Sequence, residues 1–384
     1  MKVLFVVPPL AGHTNPTVSV ARALEARGHE VAWAAHPGSV GKLLPPGARV
    51  LAMPEDVSAD HAARVTDRAK TARGAAALKF LWEDFLVPLA RSMLPAVDRA
   101  VADYAPHVLA VDQQALAGGA VARKRGLPWA TLATTSAGVT DPLAALPEVK
   151  RWLAELVAAF ARDAGVPRSD DGELSPHLVI AFTTDALVGP LDRFPRHYRF
   201  VGPAIADRPE PTDFPWALLG ERPRVLVSTG TVNADASERF LRVAIDALAG
   251  EPLQAIVVAP FDVPTPPPNV IVRRFVPQLA LLPHVDAVVC HAGHNTTVEA
   301  LAHGLPLVVA PIKDDQPIVA DQVVAAGAGL RVKFGRVGAA ELRATVRRVL
   351  DEPSFRAGAE RVRASFAAAG GAAAAARALE ELAS

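Results

Sequence analysis

The chain opens on an apolar, β-branched run, Lys2–Val7, that is typical of a buried strand. The segment PPLAGHTNP follows and is predicted as a turn, after which apolar residues recur at helical spacing within Thr17–Arg27. Gly28 then ends the predicted helix. Further strands, with helical patterns between them, are predicted at Glu30–Ala34, Ala48–Ala52, His107–Val111, Trp129–Leu132 and Leu178–Ala181.

The alternation stops around Phe200–Arg224, where proline and polar residues are frequent, and this segment is predicted as a linker between domains. A second series of strands is predicted at Val225–Ser228, Ala255–Ala259, Val270–Arg273, Ala287–Cys290, Leu307–Ala310 and Leu330–Lys333. Strands that alternate with helices are typical of parallel sheets covered on both faces. We therefore predict an α/β fold with two doubly wound, Rossmann-like parallel sheets that face each other across a cleft.

The predicted boundaries are an N-terminal domain at 1–205, a linker at 206–222 and a C-terminal domain at 223–366. The alanine-rich tail, 367–384, is predicted as a helix that packs back on the N-terminal domain. Ligands of such sheets bind beyond the carboxyl ends of the strands, so two sheets can hold two substrates. Transferases, epimerases and binding proteins share this architecture, and the function has to come from the site.

The composition excludes several classes of function but does not identify one. Of the 384 residues, 51% are hydrophobic and 21% are charged, which is ordinary for a globular protein. The 40 basic and 40 acidic side chains balance, and no basic stripe indicates a nucleic-acid partner. The single cysteine, Cys290, excludes an internal disulfide framework and fits a reducing compartment. No stretch approaches the roughly 18–20 apolar residues of a membrane-spanning helix, so a cytoplasmic protein is expected.

A candidate ligand site follows the strand Ala287–Cys290. His291, Gly293, Asn295 and Thr296 lie where this strand ends and a helix, His294–His303, is predicted to begin. Backbone N–H groups at a helix N-terminus attract anions, and a glycine lets a ligand approach the backbone. These residues therefore form a candidate diphosphate cradle, whereas His294 is either a sugar contact or a helix cap.

Neighbouring strand ends offer partners for the rest of a nucleotide sugar. Phe275, followed by Pro277, offers a stacking face for a base, and Glu299 can accept two ribose hydroxyls. Asp315 and Gln316 supply acceptors and donors in the pattern that vicinal sugar hydroxyls need.

The segment Phe275–Gln316 resembles the nucleotide-sugar signature of family 1 glycosyltransferases of the GT-B fold, which glycosylate plant metabolites and bacterial antibiotics. The resemblance implies base stacking by Phe275 with Val276 and Gln278 beside it, diphosphate binding by His291, Gly293, Asn295 and Thr296, ribose binding by Glu299, and sugar binding by Asp315 and Gln316. The segment VSTGTV resembles the first loop of the family's C-terminal domain and makes Thr231 a phosphate contact.

Two positions depart from the family pattern. His294 stands where the plant proteins have Trp, and Val319 stands where the family often has Asn. Glu299 bears on the nucleotide, because a carboxylate that takes two hydroxyls favours the ribose of UDP over the deoxyribose of dTDP.

The turn after the first strand, Gly12–Pro16, resembles the family's GHxxP segment and supplies the candidate base, His13. An alcohol is a weak nucleophile, and histidine is suited to deprotonate it near neutral pH. Asp112 follows the strand His107–Val111, where the family has an Asp that orients the base; its alternative role is the N-cap of a helix predicted at Gln114–Lys124. His13 likewise has a structural alternative, as a cap of the first helix or a core hydrogen-bonding group.

The resemblance implies an inverting transfer of a hexose to a hydroxyl of a hydrophobic small molecule, with no metal and no cofactor beyond the nucleotide sugar. A monomer or homodimer without integral membrane association is expected. A GT-B sugar-nucleotide epimerase and a non-catalytic sugar-nucleotide-binding partner of a glycosyltransferase remain the alternatives. Trp82, Phe85 and Leu86 have helical spacing, which predicts core packing first and acceptor-pocket lining second. The segment Leu143–Gly165 stays open between pocket wall and lid.

Overall fold

The computed structural model describes residues 1–54, 74–166, 174–205, 213–230 and 237–384. The chain forms two compact units: unit 1 holds Met1–Thr184, Pro190–Pro209 and Ala369–Ser384, and unit 2 holds Asp185–Gly189 and Glu210–Ala368. The segment Asp185–Gly189, placed by sequence in the N-terminal domain, thus groups with unit 2.

Each unit is built on one sheet in which every paired strand is parallel. The strands of unit 1 are β1 (Lys2–Val6), β2 (Glu30–Ala35), β3 (Val50–Ala52), β4 (Val108–Asp112), β5 (Trp129–Ala133), β6 (Leu178–Ala181) and β7 (Tyr198–Phe200), in the order β3-β2-β1-β4-β5-β6-β7. The strands of unit 2 are β8 (Arg224–Ser228), β9 (Gln254–Val258), β10 (Val270–Arg273), β11 (Ala287–Cys290), β12 (Leu307–Val309) and β13 (Gly329–Arg331), in the order β10-β9-β8-β11-β12-β13. The predicted α/β class with two Rossmann-like parallel sheets is confirmed.

Helices connect the strands and cover the sheets. In chain order they are α1 (Ala11–Glu25), α2 (Pro37–Val40), α3 (Ala75–Lys79), α4 (Val87–Tyr104), α5 (Leu116–Arg125), α6 (Pro147–Asp163), α7 (Asp185–Val188), α8 (Glu238–Leu248), α9 (Gln278–Leu281), α10 (His294–Ala302), α11 (Gln316–Ala325), α12 (Ala339–Asp351), α13 (Pro353–Ala369) and α14 (Gly371–Ala383). A π-helical segment, Phe80–Leu86, joins α3 to α4. None of the helices in the described ranges is long and apolar enough to cross a membrane.

Each sheet has a hydrophobic core on both faces, as expected for strands that are apolar along their whole length. In unit 1, Leu4 and Val6 of β1 point to one core, and Val3 and Phe5 point to the other. The alternation follows from the two-residue repeat of a strand. The strand ends are therefore held rigidly from both sides, and the polar residues that follow them are positioned by this packing.

The first helix begins earlier than the sequence predicts. PPLAGHTNP was assigned to a turn with the helix starting at Thr17, but α1 begins at Ala11 and contains Pro16. Gly, Asn and Pro are poor helix formers, which explains the expectation. In the folded protein Thr14, Pro16 and Thr17 are buried, and this packing outweighs their low intrinsic propensity. His13 consequently lies on the first turn of a helix.

The C-terminal tail consists of the end of α13 and the whole of α14, separated at Gly370, whose φ of +87° ends one helix before the next begins. Ala375, Ala376 and Leu379 of α14 are buried in the unit 1 core that also contains α1. At the exposed end of this contact, Arg27 donates two hydrogen bonds of 2.7 Å to the Glu380 carboxylate. Helix α14 and strand β1 therefore pack in the same hydrophobic core.

Candidate functional site

His13 and Asp112 lie at the point where the strand order of the unit 1 sheet reverses. His13 belongs to the helix that follows β1, and Asp112 is the last residue of β4. β1 and β4 are hydrogen-bonded neighbours whose connections run in opposite directions. Doubly wound sheets bind ligands in the crevice at such a switch point. The topology thus brings together two residues far apart in the sequence.

The two side chains are directly hydrogen-bonded. His13 Nδ1 lies 2.9 Å from Asp112 Oδ1 and 3.0 Å from Asp112 Oδ2. The Asp112 side chain is fully buried, whereas that of His13 is 16% exposed. An imidazole whose Nδ1–H is held by a buried carboxylate presents Nε2 as a proton acceptor, and the carboxylate stabilises the imidazolium that forms.

The alternative assignment of Asp112 as a helix N-cap is wrong, because α5 begins at Leu116 and its N-cap residue is Ala115. Asp112 Oδ1 does accept the Gln114 backbone N–H at 2.8 Å. The same carboxylate therefore holds the turn after β4 and the imidazole of His13.

Thr134 is a third member of this cluster, and no motif in the sequence marks it. Its Oγ1 donates to Asp112 Oδ2 at 2.7 Å and lies 2.9 Å from His13 Nδ1. Thr134 follows β5, the neighbour of β4, and is buried. The sequence does show that Thr134 comes shortly after the predicted strand Trp129–Leu132, which follows the strand that carries Asp112.

In unit 2, His291 follows β11 and is almost completely buried. β11 pairs with β8 at the switch point of the second sheet, with Ser228 opposite Cys290. Burial lowers the pKa of His291 to about 4, while the charge of Asp315 and the backbone of Ser228 act in the opposite direction. The imidazole is therefore neutral near pH 7.

The remaining residues of the candidate cradle form the start of α10. Gly293 is the N-cap in an extended conformation, after Ala292 at φ +62°. Asn295 and Thr296 are half-buried in the first turn, where backbone N–H groups have no partners within the helix. His294, for which capping was an alternative, is buried at the first helical position, and Gly293 occupies the cap.

Glu299 lies one turn further along α10 and is buried beside Gln278, the first residue of α9. Gln278 Nε2 donates to Glu299 Oε2 at 2.5 Å. Phe275 precedes this pair and is 64% exposed, an unusual exposure for a large aromatic side chain. Val276 packs against the unit 2 core. Gln278 and Glu299 are thus brought into contact, although the strands that precede them, β10 and β11, are not neighbours in the sheet.

Asp315 and Gln316 lie at the start of α11, after β12. Gln316 is buried, and its Oε1 accepts the backbone N–H groups of Ile312 at 2.8 Å and Lys313 at 3.2 Å. This oxygen holds the loop in front of the helix, so the side-chain amide N–H₂ is the group left to a ligand. Val319, where the family often has Asn, is fully buried in the core.

The other predicted positions divide into two groups. Thr231, the expected phosphate contact of the first loop, lies outside the described residues. Trp82 and Leu86 are buried in the unit 1 core with Phe85 packed against it, in keeping with the prediction of core packing. Within the described ranges, no three His, Cys, Asp or Glu side chains are grouped as metal ligands.

Known proteins resemble this chain along most of its length. Residues 255–382 match the family described as erythromycin biosynthesis protein CIII-like, C-terminal domain. The chain is 34% identical to 4'-demethylrebeccamycin synthase of Lentzea aerocolonigenes over 96% of both proteins. It is 30% identical to demethyllactenocin mycarosyltransferase of Streptomyces fradiae over 99% of this chain and 86% of that protein. The crystal structure of the glycotransferase of kitacinnamycin superposes with a TM-score of 0.82, at 25% identity over 100% of this chain and 99% of that one.

These similarities extend over both units and include the segment that carries the nucleotide-sugar signature. The resemblance of Phe275–Gln316 to family 1 is therefore confirmed, and so is the expectation of an enzyme. The chain belongs to family 1 of the natural-product glycosyltransferases, which have the GT-B fold.

Proposed function

We propose that this glycosyltransferase moves a hexose, with inversion and without a metal ion, from a nucleoside diphosphate sugar to a hydroxyl group of a hydrophobic natural product. The observation that carries the proposal is the hydrogen-bonded pair of His13 and buried Asp112 at the switch point of the unit 1 sheet. The pair supplies a general base in one unit, while the candidate donor residues lie in the other.

In the proposed reaction, His13 takes the proton of the acceptor hydroxyl as its oxygen attacks the anomeric carbon. The bond between that carbon and the diphosphate breaks with its electron pair on the diphosphate oxygen, and the sugar inverts. Asp112 orients the imidazole and stabilises its positive charge. The departing diphosphate gains negative charge, which the start of α10 and neutral His291 receive through N–H donors.

Replacing His13 tests the base assignment. In His13→Ala, kcat should fall by about 10²- to 10⁴-fold, the usual contribution of a positioned general base. UDP affinity should stay at the wild-type value, because His13 belongs to unit 1 and the donor residues to unit 2. Turnover with a UDP-sugar and an accepted hydroxylated compound gives kcat, and calorimetric titration gives the UDP affinity.

Near-wild-type turnover in His13→Ala would remove His13 from the mechanism. A parallel loss of UDP binding would instead indicate a structural role. His177→Ala, which replaces an exposed histidine of the same unit, is the matched control and should keep full activity.

For the donor we propose a preference for UDP over dTDP. Glu299 is buried with one oxygen bound to Gln278, so its position is fixed before a nucleotide arrives. A carboxylate can accept both ribose hydroxyls, and a hydrogen bond to a charged group contributes about 1.5–3 kcal/mol. Loss of the 2′-hydroxyl should therefore weaken binding by about tenfold or more.

Comparison of UDP with 2′-deoxy-UDP isolates this hydroxyl, because the base and the diphosphate are unchanged. Wild-type protein should bind UDP more tightly by about tenfold, and Glu299→Ala should bind the two nucleotides equally. Equal affinities in the wild-type protein would overturn the UDP preference without affecting the assignment of the diphosphate residues. dTDP serves as a third ligand that adds the effect of the thymine methyl group.

The acceptor class is proposed from the relatives, whose names refer to rebeccamycin and lactenocin compounds. The His13–Asp112 pair also favours transfer over the two alternatives, because neither epimerisation nor passive binding of a nucleotide sugar requires a base for an external hydroxyl. Release of nucleotide that depends strictly on an added hydroxylated acceptor supports the transferase, and isomerisation of the donor without acceptor supports the epimerase.

A further inference from the structure

Two glycines adjoin the imidazole of His291. A Cβ atom built on Gly230 would be 2.7 Å from His291 Cε1 and 2.9 Å from Nε2. A Cβ built on Gly293 would be 2.3 Å from Nε2 and 2.6 Å from Cε1. Non-bonded carbon atoms are most stable about 3.5–4.0 Å apart, so neither position can carry a side chain while the ring stays where it is.

The two glycines differ in origin. Gly293 is two residues from His291 and belongs to the same loop, whereas Gly230 comes from the loop after β8. β8 and β11 pair at the centre of the unit 2 sheet, and the ring occupies the space between the loops that follow them. Gly230 thus contacts His291 across the switch point of the sheet.

We infer that Gly230 is a positioning residue for nucleotide binding: its missing side chain leaves the space in which the His291 imidazole is held against the carboxyl end of β11. The inference rests on the proposed function, because it takes His291 as a contact of the donor diphosphate. A ring confined at its Cε1–Nε2 edge by these two backbone positions keeps one orientation and loses little rotational freedom when the ligand binds.

The electrostatics of the ring fit this role. His291 Nδ1 is buried and has no hydrogen-bond partner among the residues that the structure describes, so a second proton on the ring would be poorly solvated. Burial accordingly lowers the pKa of His291 to about 4. The ring acts as a fixed, neutral N–H donor whose usefulness depends on its position and not on a charge.

Gly250 provides a matched control for a substitution at Gly230. Both glycines have φ +71° and belong to unit 2, so alanine causes the same left-handed backbone strain at each. A Cβ on Gly250 meets no atom within 4 Å, whereas a Cβ on Gly230 meets the His291 ring. The difference between Gly230→Ala and Gly250→Ala therefore reports the ring contact alone.

The test is calorimetric titration of these variants with UDP and with uridine. Gly230→Ala should weaken UDP binding by about tenfold or more, the loss expected for a misplaced donor to a charged group, and leave uridine binding unchanged. Gly250→Ala should bind both ligands as the wild type does. Equal UDP affinities of the two variants overturn the inference.

Two further variants separate this inference from the proposed function. If His291→Ala keeps wild-type UDP affinity, the diphosphate contact itself is wrong and the positioning role falls with it. If His291→Ala loses affinity, the double variant Gly230→Ala/His291→Ala should lose no more, because the ring through which Gly230 acts is already absent. A further loss in the double variant means that the alanine blocks the ligand directly, which overturns the inference.

The double variant also covers a failure of Gly230→Ala to fold. Removal of the ring makes room for the new Cβ, so the double variant should fold and unfold thermally near the temperature of the matched double variant Gly250→Ala/His291→Ala, which also lacks the ring. Misfolding of Gly230→Ala/His291→Ala when Gly250→Ala/His291→Ala folds would show that the clash lies elsewhere, and it too would overturn the inference.

Discussion

The Asp112 carboxylate is buried and hydrogen-bonded by three groups from different parts of the chain. His13 Nδ1 comes from the helix after β1, the Gln114 N–H from the turn after β4, and Thr134 Oγ1 from the loop after β5. A buried carboxylate is tolerated when donors replace its water, and here the donors also fix its direction. The orientation of the proposed base therefore depends on Thr134 as well as on Asp112.

Removal of the Thr134 hydroxyl should impair turnover but not donor binding. In Thr134→Val, which keeps the side-chain shape, the Asp112 carboxylate loses one donor, at a cost of about 1–3 kcal/mol for an under-satisfied buried group. kcat should fall about tenfold, with the KM for the nucleotide sugar and the UDP affinity unchanged. Steady-state kinetics and calorimetric titration measure the two quantities.

Thr134→Ser keeps the hydroxyl and should recover most of the turnover. Thr135→Val removes the neighbouring hydroxyl, which accepts the Ala137 N–H at the start of a short turn, and should leave kcat near wild type. If Thr134→Val and Thr135→Val have the same kcat, Thr134 does not position the pair.

Sequence patterns identify residues that carry their own chemistry more readily than residues that support others. His13 and Asp112 belong to recognisable segments, and their direct contact agrees with the expected pairing. Thr134 belongs to the unremarkable run TLATTSAG, and only the adjacency of β4 and β5 gives it a partner. The proposed role of Gly230 likewise depends on the His291 ring, which is distant in the sequence. Such contacts depend on strand order, which local patterns do not specify.

At the scale of elements, strands were predicted best where both faces are buried. Ala287–Cys290 and Leu178–Ala181, which are buried at every position, were predicted at their observed bounds, because a continuous apolar run ended by polar or turn residues has few alternatives. The partly buried edge strand Val270–Arg273 was also predicted at its observed bounds. The edge strand β7, Tyr198–Phe200, was missed: it is short, only partly buried and adjoins a proline-rich segment. The early start of α1 was missed because tertiary burial, not propensity, stabilises its first turn.

The last helix offers a test of how one element contributes to one unit. Leu379 of α14 is fully buried in the unit 1 core, so Leu379→Ala should destabilise that unit by about 2–5 kcal/mol and lower its unfolding temperature. The UDP affinity should not change, because the candidate donor residues belong to unit 2. Thermal unfolding followed by circular dichroism, together with UDP titration, measures both effects.

Leu382 is a control on the same helix, since it is only partly buried against the same core. Leu382→Ala should lower the unfolding temperature clearly less than Leu379→Ala does. Equal, small effects of the two substitutions would mean that α14 is not an integral part of the core. A loss of UDP affinity in Leu379→Ala would show that the units do not respond separately.

At the scale of the whole molecule, the charges balance, so the pH dependence of stability comes from individual titratable groups and not from net charge. With 40 basic and 40 acidic side chains, no large net repulsion exists near neutral pH. His291 in unit 2 has its pKa lowered to about 4 by burial, and the pKa of His303 is lowered for the same reason. Glu380 in unit 1 has its pKa lowered to about 2 by hydrogen bonds first from Arg27 and then from His29.

The two kinds of group lose their contributions in different pH ranges. Neutral His291 is favoured in the folded state, so its contribution is complete above the unfolded pKa of 6.5 and is lost as the pH falls towards 4. By pH 4 the loss is about 3 kcal/mol. The ionised form of Glu380 is favoured in the folded state, so its contribution is complete above 4.5 and is lost as the pH falls towards 2.

Acidification should therefore destabilise the nucleotide-free protein in two stages, the first in unit 2 between pH 6.5 and 4 and the second in unit 1 below pH 4.5. His291→Asn should flatten the first stage, with the remaining slope due in part to His303, and His177→Asn, at an exposed site, should leave it unchanged. Glu380→Gln should flatten only the second stage. Added salt should also weaken the second stage, because the ion pair between Glu380 and Arg27 is partly exposed. The first stage depends on a buried ring and should resist salt. Unfolding temperatures measured from pH 7 to 3 at low and high salt provide the test; an unchanged first stage in His291→Asn would show that the buried ring does not govern stability in this range.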